Sequence, residues 1–258
     1  MQTSKIISVT SLAAHRTSGL KAQMAVLGSA VLPVPTIVLN GVTSFSTIHK
    51  QTIDLEPLLH ASMELAMHQK QKIYLFVGYL ATVQNAEVVE KFIVKYKNQL
   101  SGIFVDPISG DNNKIYVDHQ IVDFWPRILA MADVAFPNIT ELRLFSGLLG
   151  NSPSDSFRAD AFAKRFPNLK VIVTSYIIEN RVGIMLMQGS DNQIFLHKMY
   201  KVKFDGTGDV FASFFLKNYI IHELDLIESC RKALNSTLVL IKQAYRKQSN
   251  EIEFIPKF

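Results

Sequence analysis

The stretch Gly206-Thr207-Gly208-Asp209, followed directly by Val210-Phe211-Ala212-Ser213-Phe214-Phe215-Leu216, decides how the rest of the chain is read. A small, glycine-rich turn opens into an apolar helix whose first turn carries a carboxylate. Without Cβ atoms in the way, successive backbone N–H groups can converge on an anion. The helix N-terminus adds its unpaired donors and the positive end of its dipole. Asp209 then lies beside the anion, placed to take a proton from an attacking hydroxyl. Taken alone, the four residues fit a tight turn with an N-capping Asp equally well. A Rossmann dinucleotide loop fits poorly: Phe211 stands at the third glycine position, and the motif comes late in the chain. No Gly-x-x-x-x-Gly-Lys-Ser/Thr P-loop occurs anywhere.

Outward from this motif, apolar β-type runs alternate with helical patterns. Strands are predicted at 6–9, 31–39, 73–77, 102–105, 134–136 and 171–174, with a strand pair at 181–187 and 193–197. Helices are predicted over 18–27, 55–68, 86–96, 121–131, 140–145, 154–166 and 223–246, besides the one opened by Gly206. Such alternation implies right-handed β-α-β crossovers. The fold class is therefore α/β, a mostly parallel central sheet flanked by helices. In such sheets ligands bind beyond the C-terminal strand ends. The polar and special residues Ser11, Tyr79, Asp106, Asn138, Thr174 and Asp209 all fall at those ends.

With 258 residues and no linker, repeat or low-complexity segment, residues 1–258 are expected to form a single domain. Apolar content of 48% against 19% charged residues excludes a disordered chain. The formal charge of +5 suits a small anionic substrate as well as nucleic acid and decides neither, but no dense Lys/Arg block favours nucleic acid, and none is expected as a partner. Cys230 is the one cysteine, so no internal disulfide can form, and a buried helical position is expected for it. The apolar segment 25–39 is broken by Pro33 and Pro35, and no uninterrupted run reaches the roughly 18 residues of a membrane span. A soluble, cytoplasmic protein is the expectation.

Four further segments carry candidate chemistry. Asp106-Pro107-Ile108-Ser109-Gly110-Asp111 places two carboxylates on a strand-end loop, where they could hold Mg²⁺ or its waters, or simply be solvated acids. Pro137-Asn138-Ile139-Thr140-Glu141 reads as a capping box. The same residues could serve a ligand, Glu141 in a Mg²⁺ shell and Asn138 on a phosphate or metal-bound water. Thr174-Ser175 puts two hydroxyls at a strand end, donors for ATP phosphates or ordinary turn residues. Ser11 and Tyr79 are candidates for the polar edge and flat face of a second substrate.

Together and in this order, the segments resemble the ribokinase superfamily, and within it the pyridoxal (vitamin B6) kinases. Asp106 to Asp111 matches the family's Asp-Pro-x-x-Gly-Asp, Pro137 to Glu141 its Pro-Asn-x-x-Glu, Thr174-Ser175 its Thr-Ser, and Gly206 to Asp209 its Gly-Thr-Gly-Asp. Ser11, Thr43, Gly78-Tyr79 and Tyr116 match smaller features that surround the pyridine ring. The resemblance implies a ribokinase-like three-layer sandwich that phosphorylates the 5′-hydroxymethyl group of pyridoxal or a related B6 vitamer. It implies Asp209 as base, with the N–H groups of Gly206, Thr207 and Gly208 as the anion hole. ATP would lie along Asp106, Asn138, Glu141, Thr174, Ser175 and Thr207. Mg²⁺ would be held through Asp106, Asp111 and Glu141. A flap over 110–116, a monovalent cation such as K⁺ and a homodimer are implied as well. The chain departs from the family at Gly41-Val42, at Leu12, within 13–20 and at Phe136, which replaces a Thr proposed as a cation ligand. Ser18 to Ala22 is also similar to the hydroxymethylpyrimidine kinases, leaving that acceptor as the alternative. A binding protein that kept the fold and lost the reaction is the other.

Overall fold

In the computed structural model the described residues are 3–41, 48–148, 154–188, 191–200, 202 and 204–254. The first half of the chain runs β1 (Ser4–Ala13), α1 (Leu20–Leu27), β2 (Val31–Leu39), β3 (Lys50–Thr52), α2 (Leu55–His68), β4 (Lys72–Val77), α3 (Val83–Tyr96) and β5 (Leu100–Val105). Two short strands follow, β6 (Gly110–Asp111) and β7 (Lys114–Ile115), and then α4 (His119–Leu129), β8 (Val134–Ala135), α5 (Ile139–Phe145) and α6 (Asp155–Arg165). The chain continues through β9 (Lys170–Ile178), β10 (Arg181–Gln188), β11 (Asp191–Lys198), α7 (Thr207–Leu216) and α8 (Leu226–Arg246).

Nine strands form one sheet in the order β11-β10-β9-β8-β5-β4-β1-β2-β3. The pairs from β2 through β1, β4, β5 and β8 to β9 are parallel. Antiparallel pairing occurs only toward the edges, at β2–β3, β9–β10 and β10–β11. The central strands are apolar on both faces because helices cover both. In β1, Ile7 and Val9 join the core under α2 to α6, while Ile6 joins the core under α1, α7 and α8. The result is the mostly parallel, helix-flanked sheet expected from the alternating pattern, and the three-layer sandwich that the resemblance implies.

Most elements stand where the sequence places them, with ends shifted by a few residues. Pro33 and Pro35 are accommodated in β2, because β3 pairs only with Ile37 to Leu39 and leaves the proline-bearing part at an edge among the described residues. β3 was not predicted; its residues Lys50, Gln51 and Thr52 are exposed and carry no apolar alternation. Cys230 is fully buried in α8, and burial pushes its thiol up to about 12, so it is chemically quiet. Among the described residues no helix is long and apolar enough to cross a membrane.

The strand order reverses at β1, which has β2 on one side and β4 on the other. At such a point the connections leave in opposite directions and open a crevice at the C-terminal strand ends. That end of the sheet is where Asp106 and Asn138 emerge, and Thr174, within β9, is bridged to Asn138 there.

Candidate active site

Gly206 caps the N-terminus of α7 in the left-handed region, with φ of 77°. A Cβ there would stand 1.9 Å from the Thr17 carbonyl oxygen, so only glycine lets the loop after β1 press onto this turn. Gly208 is the opposite case: nothing lies within 4 Å of its Cβ position. That open side belongs to a cleft of about 640 Å³. The first N–H groups of α7 have no intrahelical partner, so this helix end is suited to an anion.

Asp209 lies in the first turn of α7. Its carboxylate accepts the Gly19 N–H, and its Oδ1 has no hydrogen-bond partner. Burial raises its pKa to about 6, although the Gly19 N–H pulls it down. A group poised there is largely ionised at neutral pH yet basic enough to accept a proton.

Eleven sequence-predicted residues line the one cleft: Asp106, Asp111, Tyr116, Asn138, Glu141, Thr174, Ser175, Gly206, Thr207, Gly208 and Asp209. The expected capping box at α5 is present. Asn138 Oδ1 accepts the N–H groups of Thr140 (2.8 Å) and Glu141 (3.1 Å), and Glu141 Oε2 accepts that of Asn138 (2.9 Å). Glu141 Oε1 takes the Ser109 N–H at 2.9 Å, and Asn138 Nδ2 donates to the Gly110 carbonyl at 2.8 Å. The two side chains therefore tie the loop after β5 to the start of α5. Each still has lone-pair or N–H capacity left for a ligand.

The acids crowd one another. Asp106 is held well above the usual carboxylate range, first by burial and then by the charges of Glu141 and Asp209. Burial pushes Glu141 up to about 8, with backbone N–H groups of Asn138, Ser109 and Gly110 opposing and Asp111 adding repulsion. The Tyr116 phenol is also raised, by desolvation and by the surrounding carboxylates. Neither Asp106 nor Glu141 has an ion-pair partner among the described residues. Acids sharing a site without a cation are what a divalent ion would relieve. No group of three or more His, Cys, Asp or Glu side chains is preassembled for a metal among the described residues. Mg²⁺ itself keeps several waters and takes one or two carboxylates plus substrate phosphates, and Asp106 and Asp111 both line the cleft. The residues present thus fit a partly hydrated Mg²⁺.

Two acceptor-side residues stand elsewhere. Ser11 does not line the cleft; it lies beneath Gly19, whose Cβ would meet the Ser11 carbonyl oxygen at 2.2 Å. Tyr79 does not line the cleft either. Its N–H donates to Thr10 Oγ1 at 3.0 Å and its carbonyl accepts from Thr36 Oγ1 at 2.7 Å, which fixes it beyond β4. Thr43 lies outside the described residues. Phe136, buried, packs its ring against Phe215 and Phe211 with centroids 5.2 and 6.4 Å away, and offers no side-chain oxygen to a monovalent cation.

Sequence reasoning missed several contributors. The Gly19 N–H on Asp209 and the Thr17 carbonyl on Gly206 are contacts between distant segments with no local signal. Asp205 and Lys114 also line the cleft. The segment expected as a flap is a hairpin, β6–β7, turned by Asn112 and Asn113 with φ of 51° and 60°. Asn-Asn is a readable signal for a two-residue turn with both residues left-handed, since Asn tolerates that region.

The family described as phosphomethylpyrimidine kinase matches residues 19–253. A pyridoxal kinase of Dictyostelium discoideum is 25% identical over 267 residues, spanning 95% of this chain and 88% of the relative. Solved structures show the same fold. Pyridoxal kinase from Leishmania donovani in complex with ADP and pyridoxine superposes with a TM-score of 0.82 at 22% identity, covering 95% of this chain and 88% of that one. Pyridoxal kinase from Entamoeba histolytica gives 0.82 at 23%, covering 93% and 90%. A match over most of the chain, on a ribokinase-like sandwich with these motifs at its strand ends, has one conclusion: the chain belongs to the phosphomethylpyrimidine kinase family.

Proposed function

We propose that this protein is an ATP-dependent kinase that phosphorylates the 5′-hydroxymethyl group of pyridoxal, pyridoxine or pyridoxamine. The observation that carries the chemistry is Asp209, which lines the cleft at the glycine-opened start of α7 and whose buried Oδ1 has no hydrogen-bond partner. The choice of a B6 vitamer is supported by relatives named pyridoxal kinase, which the chain matches over 88% and 74% of their lengths.

In this reading the acceptor hydroxyl gives its proton to Asp209 as its oxygen attacks the γ-phosphorus. The bond from that phosphorus to the β–γ bridging oxygen breaks, and ADP leaves. The N–H groups of Gly206, Thr207 and Gly208 stabilise charge on the transferring group, in a transfer that needs chiefly positioning and charge stabilisation. Thr174 and Ser175 donate to the phosphates. Mg²⁺, when bound, offsets phosphate charge; Asp106 and Asp111 would hold it, with Glu141 reaching its waters. Phe136 gives a K⁺ ion no side-chain ligand, and no step is assigned to one. Ser11, Thr43 and Tyr79 are assigned to the acceptor side of the site and Tyr116 to its cover. A single domain, a homodimer and a cytoplasmic setting complete the proposal; light scattering behind size exclusion tests the dimer.

The raised Asp209 gives a pH prediction. A base with a pKa of about 6 is lost on acidification earlier than an ordinary carboxylate. Turnover should therefore be full above that value and fall about tenfold per pH unit below it. A rate that stays flat down to about pH 5 would exclude Asp209 as the base.

The test of the whole reading is a coupled ATP-to-ADP assay with Mg²⁺ and K⁺. It compares pyridoxal, pyridoxine, pyridoxamine and hydroxymethylpyrimidine. Turnover with a B6 vitamer is the expected result. Turnover with hydroxymethylpyrimidine alone would favour the second reading, which the family's description supports. ATP binding without turnover on any of them would point to a binding protein.

A further inference from the structure

The cleft is lined by Asp106, Asp111, Glu141, Asp205 and Asp209, a poor environment for a polyanion unless cations offset it. Among the described residues the one cationic side chain lining it is Lys114. Lys114 sits on β7 in register with Asp111 of β6. The obvious ion pair between them does not form. Asp111 instead accepts from the Asn112 backbone N–H (2.9 Å) and side-chain amide (2.8 Å). Lys114 is exposed, and no hydrogen bond or ion pair engages its ammonium among the described residues.

The backbone under it is firmly held. Asn138 Nδ2 binds the Gly110 carbonyl at 2.8 Å, the Asn113 N–H donates to Thr140 Oγ1 at 3.0 Å, and Arg143 Nη1 donates to Asn113 Oδ1 at 2.7 Å. Gly110 also packs so closely that a Cβ would meet the Lys114 carbonyl oxygen at 2.5 Å. The hairpin thus fixes the root of the lysine and leaves its charge uncommitted at the cleft.

We infer that Lys114 binds the polyphosphate chain of a nucleoside triphosphate. This rests on the kinase reading above. The acceptor, a neutral alcohol at its reacting end, has no need of an ammonium group, whereas the triphosphate does. Lysine serves phosphate as a compact point charge.

The test is nucleotide affinity, measured by calorimetry with excess Mg²⁺ on the full chain, for the wild type, Lys114→Met and Lys114→Arg. The methionine variant should bind ATP about tenfold more weakly, the scale of one charged hydrogen bond. Its affinity for AMP should stay within about twofold, because AMP lacks the outer phosphates. Lys114→Arg should keep most of the ATP affinity, and added salt should narrow the gap between wild type and methionine variant. An unchanged ATP affinity in Lys114→Met, or an equal loss for ATP and AMP, would overturn the assignment and leave the kinase reading standing. A wild type that binds no ATP would overturn both.

Discussion

Asp209→Asn should lower turnover by about 10²–10⁴-fold, the usual scale for loss of a general base, while leaving ATP affinity near the wild-type value. The substitution keeps the shape of the side chain, and an amide oxygen can still accept the Gly19 N–H. What it removes is the proton acceptor at Oδ1, the atom with no partner in the protein. It also removes a charge that burial disfavours and that presses on Asp106. The sign follows from linkage. A carboxyl whose pKa is higher folded than unfolded costs stability once pH exceeds the unfolded value. The asparagine variant should therefore melt no lower than the wild type at neutral pH. Turnover near the wild-type rate would remove Asp209 from the mechanism. A lower melting temperature with weak ATP binding would show that the carboxylate holds the site together rather than doing chemistry.

Gly206→Ala and Gly208→Ala should behave as opposites although they stand two residues apart. At Gly206 an added Cβ meets a backbone oxygen at 1.9 Å, and φ of 77° is disfavoured for any L residue. Left-handed strain of about 1–2 kcal/mol and overpacking of about 1–3 kcal/mol together predict a loss of roughly 2–5 kcal/mol. Because the clashing atom belongs to the Thr17 backbone, relief requires the loop after β1 to move. That movement withdraws the Gly19 N–H from Asp209, so activity should be lost along with stability. At Gly208 the Cβ position is empty and the residue is helical, so alanine should fold at least as well. Its methyl group would enter the cleft where the phosphates are assigned, and the KM for ATP should rise about tenfold, the scale of a lost or strained phosphate contact. Thermal melting and steady-state kinetics on both variants check this. A Gly206→Ala protein with normal melting and turnover would refute the close approach. An unchanged ATP KM in Gly208→Ala would move the phosphates away from the start of α7.

The identity and order of the elements were legible because local physics writes them into the chain. Ile73-Tyr74-Leu75-Phe76-Val77 has no polar residue to offer water, so it reads as a strand covered on both faces, and it is one. Leu55, Leu59 and Met63 recur at helical spacing and are buried along one side of α2. Asp106 and Asn138 stand just beyond β5 and β8, as the same alternation predicts, whereas Thr174, expected at a strand end, lies inside β9, next to Ser175 in the left-handed region with φ of 55° where the pairing to β10 shifts register. The capping box at Asn138 and Glu141 was readable because its partners lie three residues apart.

Distance along the chain set the limit. That Thr17 packs on Gly206, and that Gly19 steadies Asp209, depends on how the loop after β1 docks on α7. No local pattern encodes that docking. The raised pKa values of Asp106, Glu141 and Asp209 are likewise tertiary, since they come from burial and from charges on separate segments. Ser11 and Tyr79 show the same limit from the other side: the alternation puts both at strand ends, yet Ser11 lies inside β1 and neither lines the cleft that gathers most of the other candidates. Sequence alone determined an α/β sandwich with a glycine-opened helix and its carboxylate, because backbone conformation and hydrophobic periodicity are local. Only the tertiary structure decided which of the candidate groups share one cavity, which are committed to partners and which are left uncommitted, because electrostatics and hydrogen bonding depend on distances that the fold alone sets.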